Sequence, residues 1–250
     1  MRPFLTAEWR SLVILNYRVD DELLRERVPA GTELDRWDGS AFVSVVGFLF
    51  RNVAIRGIPV PFHRHFEEVN LRFYVRRRVA GEWRRGVVFI REIVPKRLVA
   101  AVARGLYHEP YVTRPMRYHV VAPGVGSESG SVAYSWRVDG RWQRVGASIS
   151  GPPLPLADGS VEEFITEHYW GYTALPDGST REYRVDHPPW RVWSAGDPYF
   201  ACDLEKVYGP ELAVPLRSVP HSALVAEGSP VSVYPGVGLL DDPVQRQGHE

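Results

Sequence analysis

Val69, Leu71, Phe73 and Val75 alternate with Glu68, Asn70, Arg72 and Tyr74, a period of two that predicts a β-strand. Similar β-rich runs cover Ser11 to Val19, Ala41 to Phe50, Trp83 to Val94 and Arg117 to Val121. Turn dipeptides punctuate them. Asp38-Gly39 predicts a hairpin between Glu33–Trp37 and Ala41–Phe50. Asp139-Gly140 predicts one between Ser131–Asp139 and Arg141–Ile149, and Asp177-Gly178 one between Tyr169–Leu175 and Ser179–Val185. Gly57–Pro61, Gly124–Gly130 and Gly151–Asp158 read as loops.

Helical signals are fewer. Asp20 caps a short helix bearing Leu23, Leu24 and Val28, which Pro29 ends. Leu98, Val102 and Leu106 recur at helical spacing, so a helix is predicted from about Lys96 to Tyr107 behind Pro95. Ser160 and Glu163 form a capping box for a helix ending near His168. After Asp197 the pattern thins, leaving one short helix near Leu204–Tyr208. About ten strands and a few peripheral helices predict a mainly antiparallel α+β fold, its sheets closed or packed into a barrel-like core. No break in composition divides residues 1–250, so one domain is expected.

The 30 basic and 30 acidic residues cancel, so the chain as a whole has no field to draw nucleic acid or an anionic membrane. A lone cysteine, Cys202, cannot form an intramolecular disulfide, and no apolar run approaches membrane-spanning length. A cytoplasmic protein is the expectation. There is no phosphate-binding glycine loop and no G-x-S-x-G nucleophile elbow. His63 and His65 alone do not make a metal site.

Lys96 stands out at a strand-to-helix junction, between the apolar run Val87–Ile90 and the predicted helix. An ordinary lysine keeps only about one free amine in 2,500 at pH 7. Burial beside another cation raises that fraction, and a free amine can attack a ketone to form a Schiff base. The plain alternative is a solvated lysine after a proline.

The segment "REIVPKRL" (Arg91–Leu98) resembles the acetoacetate decarboxylase signature, in which an R-E-L segment leads to P-K-K-L. "YRVDDELLRERVPAGTELD" (Tyr17–Asp35) resembles that family's N-terminal segment. "ELDRWDGSAFVSVVGFLF", "FEEVNLRFYV", "HEPYVTRPM", "VEEFITEHYWGYT" and "VDHPPW" resemble its YqjF-like branch as far as about Ala195. The resemblance implies an acetoacetate decarboxylase-like cone or barrel. It implies Lys96 as the Schiff-base nucleophile, Arg10 as a carboxylate anchor and Glu68 as acid/base partner. The second lysine of the signature is replaced by Arg97, and one residue is missing between the R-E segment and the proline. Asn70, Arg72, Tyr74, Tyr111, Met116 and Arg97 are the expected lining, with Glu92, His168 and His187 as weaker candidates.

The implied function is a Schiff-base lyase acting on a small keto acid or related carbonyl compound. Decarboxylation, aldol cleavage and dehydration share the iminium, and none needs a metal or organic cofactor. A non-catalytic binder of a small carbonyl or carboxylate ligand, or an interaction module using the proline-rich loops, are the alternatives. Assembly into a homo-oligomer is compatible with all three.

Overall fold

The computed structural model describes residues 1–98, 100–101, 105, 108–123 and 128–239. Strands dominate. Their order begins β1 (Leu5–Val19), β2 (Glu33–Leu34), β3 (Ala41–Ile55), β4 (Ile58–Pro59), β5 (Phe66–Val79) and β6 (Glu82–Val94). It continues with β7 (Tyr111–Thr113), β8 (Met116–Val121), β9 (Ser129–Val138), β10 (Arg141–Ser150) and β11 (Leu154–Pro155). It ends with β12 (Trp170–Ala174), β13 (Thr180–Asp186), β14 (Arg191–Ser194), β15 (Gly196–Ala201), β16 (Ser222–Val233) and β17 (Val237–Gly238). Short helices are α1 (Asp21–Arg25), α2 (Val161–Thr166), α3 (Leu204–Tyr208) and α4 (Pro210–Leu216).

The large sheet closes on itself. β16 pairs with β1, β1 with β3, β3 with β5, and β5 with β6, all antiparallel. β6 meets β12 in parallel at Trp170↔Gly86 and Gly171↔Val87. β12 pairs with β13, and β13 returns to β16 at Val185↔Val233. Seven strands thus form a ring, an α+β fold that is mainly antiparallel β. A second sheet, β15-β10-β9-β8, covers one outer flank.

This double cover explains the sequence of β3. Residues Ala41 to Phe50 are all buried. Phe42, Val46, Phe48 and Phe50 face the ring interior, whereas Val43, Val45 and Leu49 pack outward against Tyr134, Trp136 and the α3–α4 pair. A strand buried on both faces reads as a near-continuous apolar run. On the interior side a polar chain crosses four strands. Tyr74 Oη donates to Ser44 Oγ at 2.7 Å, Ser44 Oγ to Asn16 Oδ1 at 2.6 Å, and Asn16 Nδ2 to Ser222 Oγ at 2.9 Å.

Several elements differ from the sequence pattern. The Asp38-Gly39 turn exists, with positive φ at both residues, but only Trp37 and Ser40 bridge across it. Glu33 and Leu34 pair instead with Arg76 and Val75 of β5, because β1 occupies the edge of β3 they were expected to take. The loops at Gly57–Pro61 and Gly151–Asp158 each contain a two-residue strand. β16, a principal strand of the ring, was not expected at all. The Lys96–Tyr107 helix is observed at residues 97, 98, 100, 101 and 105, and Val102 and Leu106 lie outside the described residues. So do residues 124–127 of the Gly124–Gly130 loop.

Candidate functional site

Every strand of the ring contributes to one interior cavity of about 260 Å³. That is slightly below the range of about 300–1,000 Å³ typical of drug-sized ligand pockets, so it suits a small ligand. Trp9, Phe48, Phe50, Phe66, Phe89 and Trp190 are among the aromatic side chains of its mainly apolar wall. Trp9 meets Phe48, Phe50 and Trp190 edge to face, and His187 stacks on Trp190 at 4.6 Å.

The polar part of the wall comes from the alternation of β5. Glu68, Asn70 and Arg72 point inward, while Val69, Leu71 and Phe73 pack outward. Across the ladder Asn70 pairs with Glu92, and Glu92 pairs in parallel with Tyr111. These pairings bring two carboxyls and a phenol together. Asn70 Nδ2 donates to Glu68 Oε1 at 3.0 Å, and Tyr111 Oη donates to Glu68 Oε2 at 3.1 Å. A third carboxyl, Glu109, accepts from Thr173 Oγ1 at 2.7 Å and Tyr183 Oη at 3.0 Å.

All three carboxyls are buried, and their protonation follows from that. Burial raises Glu68 to about 7, against the bonds from Asn70 and Tyr111 and the charge of Arg72. Burial also raises Glu109 to about 7, with Thr173 and Tyr183 pulling down and Glu68 pushing up. Glu92 is raised furthest, first by burial and then by Glu109 and Glu68. Arg72 is the one lysine or arginine in the wall among the described residues. Its guanidinium donates to the Ile165 carbonyl at 3.3 Å and to Tyr74 Oη at 3.4 Å.

His168 closes the polar end. Its Nε2 lies 3.2 Å from Asp35 Oδ2, which also accepts from Arg85 Nε at 2.7 Å. Burial would raise Asp35, but the His168 and Arg85 bonds outweigh it and hold the carboxyl below its usual value. Burial pushes His168 down to about 4. The imidazole is therefore neutral, with its proton on Nε2 toward Asp35 and a bare lone pair on Nδ1.

Of the residues singled out in the sequence, Glu68, Asn70, Arg72 and Tyr111 line this cavity, together with the weaker candidates Glu92, His168 and His187. The others stand elsewhere. Arg10 binds the Glu8 carboxylate through Nη2 at 2.7 Å and the Gly228 carbonyl through Nη1 at 3.3 Å. Tyr74 is inward but committed to Ser44. Met116 packs on the outer core, and Arg97 is exposed. Lys96 is half-buried and acts electrostatically on Glu67. Glu67 alternates to the opposite side of β5 from Glu68. Leu98, two residues on, does reach the cavity wall.

Glu109, Trp9 and Tyr183 line the cavity without having been anticipated. Glu109 precedes β7 in irregular chain, where no period marks an inward face. Trp9 lies on β1 beyond a register shift after Arg10, so the alternation read from Ser11 onward does not extend to it. Among the described residues no group of histidine, cysteine and carboxylate side chains is arranged to hold a metal ion. No described helix is long and apolar enough to cross a membrane.

The profile of a family described as uncharacterized conserved proteins, DUF2071, matches residues 6–230. The uncharacterized protein YqjF of Bacillus subtilis (strain 168) is 29% identical over 194 residues, which cover 75% of this chain and 74% of YqjF. Acetoacetate decarboxylase of Legionella pneumophila superposes with a TM-score of 0.63 at 14% identity, covering 96% of this chain and 89% of the decarboxylase. The enduracididine biosynthesis enzyme MppR, complexed with pyruvate, superposes with a TM-score of 0.62 at 15% identity, covering 96% and 91%. An acetoacetate decarboxylase-like enzyme of Sphingomonas wittichii RW1 gives 0.63 at 15% identity, covering 96% and 94%. At these identities the likeness shows a shared fold.

Proposed function

We propose that this chain, which belongs to the DUF2071 family of uncharacterized conserved proteins, binds a small carbonyl compound inside the strand ring and uses Glu68 as its acid/base group. One observation carries this reading. Glu68 stands on the cavity wall with both oxygens oriented, by Asn70 and Tyr111, and with its carboxyl raised by burial to about 7. A general acid or base works best when its pKa is near the operating pH. The apolar wall keeps water from competing for the proton. The shared fold with acetoacetate decarboxylase and with a protein that binds pyruvate supports a small carbonyl compound as the ligand.

A second reading assigns a Schiff base to Lys96, with decarboxylation, aldol cleavage or dehydration to follow. It is favoured by the position of Pro95-Lys96 directly after β6, two residues before Leu98 enters the cavity wall. This route requires the amine to turn from Glu67 toward the cavity. Arg10 as carboxylate anchor belongs to the same reading and requires release from Glu8.

A panel of keto acids and simple ketones, followed by NMR for product, tests the first reading. Turnover that falls by about 10²–10⁴ in Glu68→Gln supports it. Turnover unchanged in that variant removes Glu68 from the chemistry. Borohydride added to the same mixtures separates the two readings. A mass adduct on Lys96 establishes the Schiff base, and turnover without any adduct excludes it. Binding of a panel compound without turnover would identify a binder.

A further inference from the structure

The polar atoms of the cavity have an uneven balance of donors and acceptors. Among the described residues, the buried side-chain atoms without a hydrogen-bond partner include Asn70 Oδ1, Glu92 Oε2, His168 Nδ1 and Trp9 Nε1. All four residues line this cavity, and Asn70, Glu92 and His168 are each more than nine-tenths buried. A buried polar atom without a partner costs about 1–3 kcal/mol, so four around one void mark a place built to receive a ligand.

Three of the four are acceptors, or become so. The Asn70 amide nitrogen is spent on Glu68, which leaves its oxygen bare. The His168 proton is spent on Asp35, which leaves Nδ1 bare. Glu92 Oε2 is the third free acceptor, and Trp9 Nε1–H is the one fixed donor of the four. The formal charges lean the same way. Among the described residues Glu68, Glu92 and Glu109 share the wall with one cation, Arg72, which donates to Ile165 and Tyr74. An anionic head group would meet three carboxyls against the single guanidinium of Arg72.

We infer that the ligand carries a protonated basic nitrogen, seated among Asn70, Glu92 and His168, on an apolar body of about one ring packed against Trp9, Phe48, Phe50 and Trp190. The nitrogen supplies the donors that the three acceptors lack, and its charge takes the place of the protons that burial now forces onto the carboxyls. The aromatic wall accommodates the body and attracts a cation through its ring faces. The free indole N–H of Trp9 suits a carbonyl oxygen on the same molecule. This inference rests on reading the cavity as a ligand site. It makes the second polar group of that carbonyl compound an amine in place of a carboxylate.

Three probes of one size and different charge test it: benzylamine, benzyl alcohol and benzoate, titrated calorimetrically into the full chain at pH 7.5. Benzylamine is expected to bind at least about tenfold more tightly than either of the others, the effect of one charge-assisted hydrogen bond. In Glu92→Gln this preference should shrink about tenfold while benzyl alcohol binding changes little. Benzyl alcohol binding as tightly as benzylamine, or benzoate binding best, would overturn the inference, as would a preference unchanged in Glu92→Gln. The wild-type ranking stands even if that variant fails to fold. Failure of all three probes to bind also overturns it, whereas the reading of Glu68 as acid/base group is judged separately by keto-compound turnover in Glu68→Gln.

Discussion

At the residue scale, the protonation of Glu68 links stability to function. A carboxyl raised to about 7 in the folded chain, from an ordinary value near 4.5, holds its proton where the unfolded chain has lost it. The folded state then binds more protons than the unfolded one between about pH 5 and pH 7, so stability falls as pH rises through that window. Glu109 adds to the same slope. Glu68→Gln keeps the shape and removes the titration. Urea denaturation at pH 5 and pH 8 should show the wild type losing roughly 1–3 kcal/mol more than the variant over that interval. Equal losses would mean that Glu68 is ionised throughout. The same residue shows how far the sequence could be read. The alternation of Glu68, Asn70, Arg72 and Tyr74 was visible, but alternation alone does not say which face points inward. Both faces turned out to be buried, because the second sheet covers the Val69–Leu71–Phe73 side. Lys96 acts electrostatically on Glu67, which is one step of strand parity from Glu68, and sequence resemblance aligns positions along the chain without fixing that parity.

At the element scale, long paired strands were legible and irregular ones were not. β5, β6, β9, β10, β12 and β13 carry either clear periods or strong turn dipeptides, and all were anticipated within a few residues. β16 was not, because Gly228 and Pro230 interrupt its pattern. Gly228 has φ of +79° and sits opposite Arg10, beside the point where β1 shifts register against β3 between Arg10 and Val13. A Cβ at that position would lie 2.0 Å from the Trp9 carbonyl oxygen, so the glycine that hides the strand is also what lets it pair. The β12–β13 hairpin has a comparable constraint with a functional consequence. Gly171 faces Tyr183 across the hairpin, and a Cβ there would meet the Tyr183 ring 2.1 Å away. Tyr183 lines the cavity and donates to Glu109. Gly171→Ala should therefore destabilise the chain by about 1–3 kcal/mol through overpacking, measured by urea denaturation. It should also displace Tyr183 from Glu109 and weaken ligand binding. A variant with unchanged stability would show that the ring moves aside at no cost.

On the scale of the whole molecule, the ring is closed at its two seams by very little backbone. β6 meets β12 over two residue pairs, and β13 meets β16 over two more. The hairpin between those seams bears Trp170, Tyr183 and Val185 of the cavity wall, so its attachment decides whether the cavity stays shut. Side chains supply what the ladders lack. Glu182, on the outer face of β13, is 1% exposed and accepts from Tyr172 Oη at 2.9 Å. It also receives Arg77 Nη1 of β5 at 3.2 Å and Arg84 of β6, fastening the hairpin to the strands beyond the parallel seam. Breaking a buried pair costs more than the pair contributes, because the partner charge is left buried; about 3–5 kcal/mol is typical. Glu182→Gln is expected to lower the unfolding free energy measured by urea denaturation by an amount in that range, and 1 M salt should not reproduce the effect, since screening acts weakly on buried charges. The exposed pair Arg184–Asp186, two residues along the same strand, is the control. Asp186→Asn should change stability by less than about 1 kcal/mol, with salt mimicking whatever change appears. If Glu182→Gln also raises the rate at which the cavity exchanges a bound probe, the hairpin is the wall that opens. If stability falls and exchange does not change, the ligand enters elsewhere, past Leu98 in the segment that follows β6.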